Sequence, residues 1–354
     1  MLDRENLVAL MRQVANAEPS APVAYSFGGE TLSYEALQEA LRNEINELAG
    51  SWDSYRKNKE QLFSIMEEVI EDILPTKVKE AYERFAEVKT FPQGTKPLFR
   101  RRISARNRAK QFVTRVGLAG VYEVFKLGGS ESFEVPTSAI GGAVQVSIEE
   151  FLDGRADFAE VLAILMEGMD DLIYEEIGKC LIGAINQLPA ANVVTSAGFD
   201  ENEMKRLVTI AGAYGTPVIY CTHEFAVRMV PQEGWRYTDA MKDQLYRTGR
   251  LADFHGTQVV ILPQGFRDET NAEKVVNPGY CWIIPTGGND KPIKVAFEGG
   301  TQIDERRNDD WSREVQVYKK VGVTAMMTNN ICVFIDTELL GEYEDWYLTD
   351  TAAL

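Results

Sequence analysis

Apolar positions recur at three- and four-residue spacing through the first part of the chain. Leu7, Leu10, Met11 and Val14 share one helical face, and Ser33 is placed to cap a second helix opening at Tyr34-Glu35-Ala36-Leu37. Phe63, Met66, Val69, Ile70 and Ile73 mark a third helix, expected to end near Pro75. Gly28-Gly29, between Tyr25 and Leu32, reads as a tight turn. The longest helical pattern comes later: Phe158, Val161, Leu162, Leu165, Met169, Leu172, Ile173 and Ile177. Asp157 can cap its start and Pro189 lies just beyond its end, so a helix of about 30 residues would be ~45 Å long. A rod of that length needs support from a sheet or from other copies of the chain.

Beyond residue 193 helical and strand patterns alternate. Asp200-Glu201-Asn202-Glu203 resembles a capping box before a helix with Met204, Leu207, Val208 and Ala211 on one face. Pro217–Cys221 and Gln258–Pro263 read as short buried strands, and Thr222 can cap the helix between them. Strands are then expected at Tyr280–Ile284 and Ile293–Phe297, joined by a hairpin turn at Gly287-Gly288. Val315, Val317, Val321 and Val323 surround Tyr318-Lys319-Lys320, and Ile331–Ile335 follows a turn at Asn329-Asn330. These late strands are placed to return and support the long helix. The whole reads as a mixed α+β chain.

With 45% hydrophobic and 26% charged residues in 354, a mainly disordered or collagenous chain is excluded, and two domains are expected. No apolar run is long enough to span a membrane, and MLDRENLVAL lacks the basic flank and apolar stretch of a secretory signal. The four cysteines, Cys180, Cys221, Cys281 and Cys332, form no CxxC pair and read as buried, reduced thiols. His223-Glu224 begins like a zinc-protease motif, but Val227 stands where the second ligand belongs. No phosphate loop, dinucleotide turn or nucleophile elbow occurs, so no catalytic residue, metal or cofactor is expected. A soluble α/β enzyme using carboxylates around residues 222–256 is the residual alternative.

Charge is segregated. The net charge is −17, which disfavours a protein that coats nucleic acid. Yet between Glu87 and Glu123 there is no carboxylate, and the window carries Lys89, Lys96, Arg100, Arg101, Arg102, Arg106, Arg108, Lys110 and Arg115. The rest of the chain then holds 28 basic against 54 acidic residues, a net of −26. Phe91, Leu98, Phe99, Ile103, Phe112, Val113 and Val116 interleave with the cations, which suits an extended hairpin with one adhesive face. A solvated loop and a DNA-binding strip are the other readings. The following stretch is acidic: Glu149, Glu150, Asp153, Asp157, Glu160, Glu167, Asp170, Asp171, Glu175 and Glu176, opposed by Arg155 alone.

This order of parts resembles the Hong Kong 97-type major capsid proteins of tailed bacteriophages, from about residue 85 to residue 336. Thr248–Pro263 is similar to that family's glycine–leucine–glycine turn leading into a valine-rich axial strand. Val146–Asp153 resembles the approach to its spine helix, and Trp311–Tyr318 with Val321-Gly322-Val323 its returning peripheral strands. The resemblance implies an N-terminal helical arm over 1–86 and an extended β-hairpin loop over 87–135. It further implies a peripheral domain with the spine helix over 136–192, an α/β axial domain over 193–310, and returning peripheral strands over 311–354. It implies a non-enzymatic subunit of the virion, assembling in the host cytoplasm as hexamers and pentamers around double-stranded DNA. Portal, scaffolding and decoration proteins are its implied partners, and no membrane is involved. An encapsulin-type compartment is the alternative within the same fold. In that family the hairpin reaches over an adjacent subunit, so Arg100, Arg101, Arg102, Arg106, Arg108, Lys110, Phe99 and Phe112 are expected to meet Glu149, Glu150, Asp153, Asp157 and Glu160 of another copy. Exposed ion pairs give ~0–1 kcal/mol each, and apolar burial at ~25 cal/mol per Å² supplies most of the adhesion. Lys96 and Lys110 are, by position, candidates for the covalent cross-links that several members form.

Overall fold

The computed structural model describes residues 4–16, 25–27, 30–100, 132–146, 158–230, 239–266, 270–271, 274–286, 291–307, 313–326 and 330–340. It begins with α1 (Arg4–Asn16), a two-stranded antiparallel pair β1 (Tyr25–Phe27) and β2 (Glu30–Leu32), α2 (Tyr34–Ala49) and α3 (Trp52–Tyr82). Ser33 caps α2 through the Ala36 N–H, as the sequence indicates, and Ser51 caps α3 through the Ser54 N–H. Phe27 pairs with Glu30, so Gly28-Gly29 connects two paired strands; the glycines themselves lie outside the described residues.

α3 does not stop near Pro75. It runs 31 residues, with the proline inside it. Proline in a helix interior costs about 3 kcal/mol, but the apolar face continues past it through fully buried Leu74 and Val78 and nearly buried Tyr82. Burying such side chains contributes about 1.5–3 kcal/mol each, which outweighs the local penalty. The first helices form an ordinary helical layer on their own chain: α1, α2 and α3 share one apolar cluster with the later helices and sheets.

After α3 come β3 (Ala86–Phe91), β4 (Leu98–Arg100), β5 (Ser132–Glu134), β6 (Ser138–Val146) and the acidic helix α4 (Phe158–Gly183). α4 has 26 residues, about 39 Å at 1.5 Å per residue. Then follow β7 (Val193–Ser196), α5 (Glu201–Gly212), β8 (Thr216–Cys221), α6 (His223–Arg228), α7 (Asp239–Thr248), β9 (Asp253–Phe254), β10 (Thr257–Ile261) and β11 (Tyr280–Thr286). The chain closes with β12 (Ile293–Arg307), β13 (Arg313–Ala325), β14 (Cys332–Asp336) and α8 (Thr337–Leu340). Asp200 caps α5 through the N–H groups of Asn202 and Glu203, and Thr222 caps α6 through that of Phe225, both at the expected positions.

Two larger sheets organise these strands. The four-stranded sheet has the order β3-β12-β13-β6, with β3 parallel to β12 and the other pairs antiparallel. α4 lies across β13 and β6, and α3 across β12 and β3, so the late strands do support the long helix. Gly142 permits this: a Cβ there would sit 2.7 Å from the Leu165 side chain of α4. The six-stranded sheet has the order β7-β14-β11-β8-β10-β9.

The expected hairpin at Gly287-Gly288 is not formed. β11 and β12 belong to different sheets, because both edges of β11 are already taken by β8 and β14. β11 is buried on both faces: Trp282 and Ile284 enter the large cluster with α3 and α4, while Cys281 and Ile283 enter a second cluster under α5 and α6. A strand apolar on both faces belongs mid-sheet. Residues 287–290 lie outside the described part. Ile293–Arg307 lies in the four-stranded sheet and Cys332–Asp336 in the six-stranded one.

Candidate assembly interface

The carboxylate-free window is held at its base by paired strands. β4 and β5 run antiparallel with Leu98 opposite Glu134, Phe99 opposite Phe133 and Arg100 opposite Ser132. The Val135 N–H donates to the Pro97 carbonyl at 3.0 Å. This antiparallel pairing lies where the base of the expected hairpin would fall. The remainder of that hairpin, with Arg101, Arg102, Arg106, Arg108, Lys110 and Phe112, lies in 101–131, outside the described residues.

Phe99, expected at the contact with a neighbour, sits inside its own chain. It is 0% exposed within its own chain, packed with Val135, Ala296, Phe91 and Phe133. Its ring lies 5.6 Å from that of Phe91 and 6.2 Å from that of Phe133, and the Lys89 ammonium sits 4.9 Å from its centroid. The inward alternation of β4 places it there, while its neighbours Leu98 and Arg100 face out. Two of the window's cations are also spent at home. Lys89 pairs with Glu87, and Lys96 with Glu134 at 2.7 Å. Burial raises the Glu87 carboxyl, but hydrogen bonds from Lys294 and Lys89 outweigh it and hold the group below its usual value. Further along the same strand pair Glu298 accepts from Thr137 and from the Gly94 N–H; the Thr137 bond chiefly, with Gly94 and Lys320 behind it, lowers its pKa.

On the acidic side, Glu149, Glu150, Asp153 and Asp157 fall in 147–157, outside the described residues, and Glu160 lies in the first turns of α4 with its side chain undescribed. The expected cation–carboxylate meetings, between copies of the chain, therefore fall mostly on residues outside the described part. What sequence reasoning missed is the outer face of α4. Ile164 is 57% exposed and Leu172 43% exposed, and a Cβ at Gly168, one turn from each, would meet nothing within 4 Å. Glu167 and Asp171 flank this open apolar stripe. The signal was in the sequence: the helix carries apolar residues on all sides, which a helix with one wet face does not need. On its inner side Asp170 has a carboxylate oxygen without a hydrogen-bond partner among the described residues. Burial, then Asp171, pushes its pKa up against the pull of Lys77.

Around residues 222–256 a cavity of about 540 Å³ is lined by Met229, Val230, Leu251 and Phe254, with Asp253 and His255 at its rim. His255 is tied to Glu201 at 3.0 Å. Most of the lining among the described residues is apolar. Among the described residues no group of three or more His, Cys, Asp and Glu side chains could hold a metal ion, and no helix is long and apolar enough to cross a membrane.

The chain is similar to solved structures of a phage capsid, a virus-like particle and an encapsulin. The mature capsid of bacteriophage PhiM1 matches at 9% identity and a TM-score of 0.49, over 72% of this chain and 86% of its own. The virus-like particle of Pyrococcus furiosus matches at 12% identity and 0.42, over 75% and 98%. The holo-SrpI encapsulin complex of Synechococcus elongatus matches at 10% and 0.41, over 73% and 86%. No curated protein matches the chain. The family model described as "SPbeta prophage-derived putative capsid protein YonB" matches residues 6–334, nearly the whole length. The chain belongs to the YonB family of prophage-derived capsid proteins, structural components of a virion rather than enzymes.

Proposed function

We propose that this chain is the major head-shell subunit of a tailed, double-stranded DNA phage, built on the Hong Kong 97 plan and arranged as hexamers and pentamers. The open stripe of Ile164, Gly168 and Leu172 on α4, bordered by Glu167 and Asp171, carries the reading. It offers apolar area and negative charge together, the complement of a hairpin that interleaves apolar residues with cations. Arg100 is exposed at the end of β4. The remaining cations, Arg101, Arg102, Arg106, Arg108 and Lys110, with Phe112, extend the same surface toward α4 and the acidic approach of a neighbouring copy. DNA, a portal, a scaffold and any decoration protein are the further partners, and assembly takes place in the host cytoplasm. An acidic lining lets the duplex slide during packaging, because it makes few phosphate contacts.

Electron microscopy of the purified protein tests this. Closed multi-megadalton shells that protect DNA from nuclease are the expected result. Particles of one or two subunits at high concentration overturn it; shells that hold protein cargo and no DNA replace the virion with a compartment.

A further inference from the structure

β8 and β11 are the central pair of the six-stranded sheet, antiparallel, with Trp282 opposite Tyr220 and Ile283 opposite Ile219. One step further along that register, Cys281 stands opposite Cys221. The Leu262 N–H donates to the Cys221 carbonyl at 2.9 Å, so the backbone polar groups of Cys221 turn toward β10 and away from β11. The two cysteines therefore form a non-hydrogen-bonded antiparallel pair, the narrow kind, with Cα atoms about 4.5 Å apart. Disulfide-linked cysteines have Cα separations of about 4.4–6.8 Å, so no strand has to move far for the bond to close. Both side chains are 0% exposed, lie in the same apolar cluster under α5 and α6, and have their thiols in hydrogen-bond contact. All four cysteines are reduced in the structure. The other two are placed differently: Cys332 stands opposite Ile283, and the Cys180 thiol donates to the Val323 carbonyl at 3.3 Å.

We infer that Cys221 and Cys281 are a latent cross-strand disulfide, which closes when the protein passes from a reducing cytosol to oxidising surroundings and fastens the two central strands of the larger sheet. The bond depends only on this chain's own sheet; its occasion, release of the particle from the cell, rests on the shell reading above. The step consumes one small disulfide such as oxidised glutathione. One cysteine thiolate attacks a glutathione sulfur, the glutathione S–S bond breaks, and one glutathione thiolate leaves. The second cysteine gives up its proton, attacks the protein sulfur of the mixed disulfide and expels the other glutathione thiolate. Two protein thiols are oxidised, one small disulfide is reduced, and the two protons end on the two glutathiones. Burial raises the Cys281 pKa well above its usual value, and contact with Cys221 adds to this. Thiolate is therefore scarce and the native sheet must open locally to admit the oxidant, so closure is slow in the folded protein.

The bond is read directly. Protein produced in a host with an oxidising cytosol, and reduced protein incubated with oxidised glutathione, are denatured in N-ethylmaleimide, digested without reductant and mapped by mass spectrometry. The first preparation is expected to yield one cross-linked peptide joining Cys221 to Cys281, with Cys180 and Cys332 alkylated. The second reaches the same link more slowly, and dithiothreitol removes it from both. Cys332→Ala keeps the link and Cys281→Ala abolishes it. Four alkylated cysteines in the protein made under oxidising conditions, or a link through Cys180 or Cys332, overturns the assignment. The map reads a bond within one chain, so it answers equally for shells and for unassembled subunits, whereas failure to form shells bears on the proposed function alone.

Discussion

The inward slot between Val317 and Val321 on β13 is filled by Lys319, which is 0% exposed. Its ammonium has no hydrogen-bond partner among the described residues and lies 5.5 Å from the centre of the Phe297 ring. Burial lowers its pKa, and the nearby Glu71 and Asp72 of α3 oppose that shift. A lysine whose folded pKa is depressed binds its proton less readily folded than unfolded, so stability rises as pH climbs through the folded pKa toward the unfolded value near ~10.4. Lys319→Met keeps the stem's packing and removes the buried charge. It should raise stability at neutral pH by about 1–3 kcal/mol, the cost of an unpaired buried polar group. Thermal or urea unfolding of the two proteins should show this gap narrowing toward pH 10; a destabilised variant would mean that attraction to Glu71 and Asp72 outweighs desolvation. Phe99 works in the opposite sense. Phe99→Ala should cost about 3–5 kcal/mol of subunit stability, visible in unfolding of the unassembled chain, because the ring holds the hairpin's base to its own sheet. A variant that unfolds normally but fails to assemble would return Phe99 to the interface.

At the scale of elements, α4 divides its apolar residues between two uses. Met169, Ile173 and Ile177 are buried in the chain, while Ile164 and Leu172 are left open. Replacing both open residues with Glu should leave unfolding within about 0.5 kcal/mol of wild type, as for surface sites generally, yet prevent shells in light scattering or negative-stain images. Normal shells from that variant would remove the stripe from the interface. Much of this architecture was readable in advance, and the reasons differ by element. Caps at Ser33, Asp200 and Thr222 were legible because a short side chain bonds its own next turn. The course of α3 through Pro75 was not, since distant burial of Leu74 and Val78 decides it. The Gly287-Gly288 hairpin failed for a related reason: local turn chemistry does not say that both edges of β11 are occupied by strands far away in sequence. Lys319 was the most legible of the missed residues, because Val315, Val317, Val321 and Val323 form a period of two whose inward series passes through it. Gly322, where a Cβ would fall 2.3 Å from the Pro136 carbonyl oxygen, marks a close backbone approach that no local pattern announces.

For the whole molecule, a net charge of −17 governs how copies approach one another. Two such subunits repel across tens of ångströms, a distance over which salt is effective, since the Debye length is about 10 Å at 0.1 M. The proposed meeting of Arg100 and its neighbouring cations with the α4 carboxylates would act at contact, beside apolar surface that excludes water, and would be screened less. Added salt should therefore remove more repulsion than attraction. The subunit concentration needed for shell formation should fall between about 10 mM and about 150 mM salt, measured by light scattering across a dilution series. Arg100, Arg101 and Arg102 changed together to Glu supply the control, with subunit folding largely intact. That variant has the wrong sign at the contact itself, and should stay unassembled throughout the same range. If salt instead rescued it, its defect would be long-range repulsion alone, and the cations would have no specific place in the interface. If salt hindered assembly of the native protein, ion pairing would exceed apolar burial as the adhesive, and the open stripe of α4 would be secondary to the charge around it.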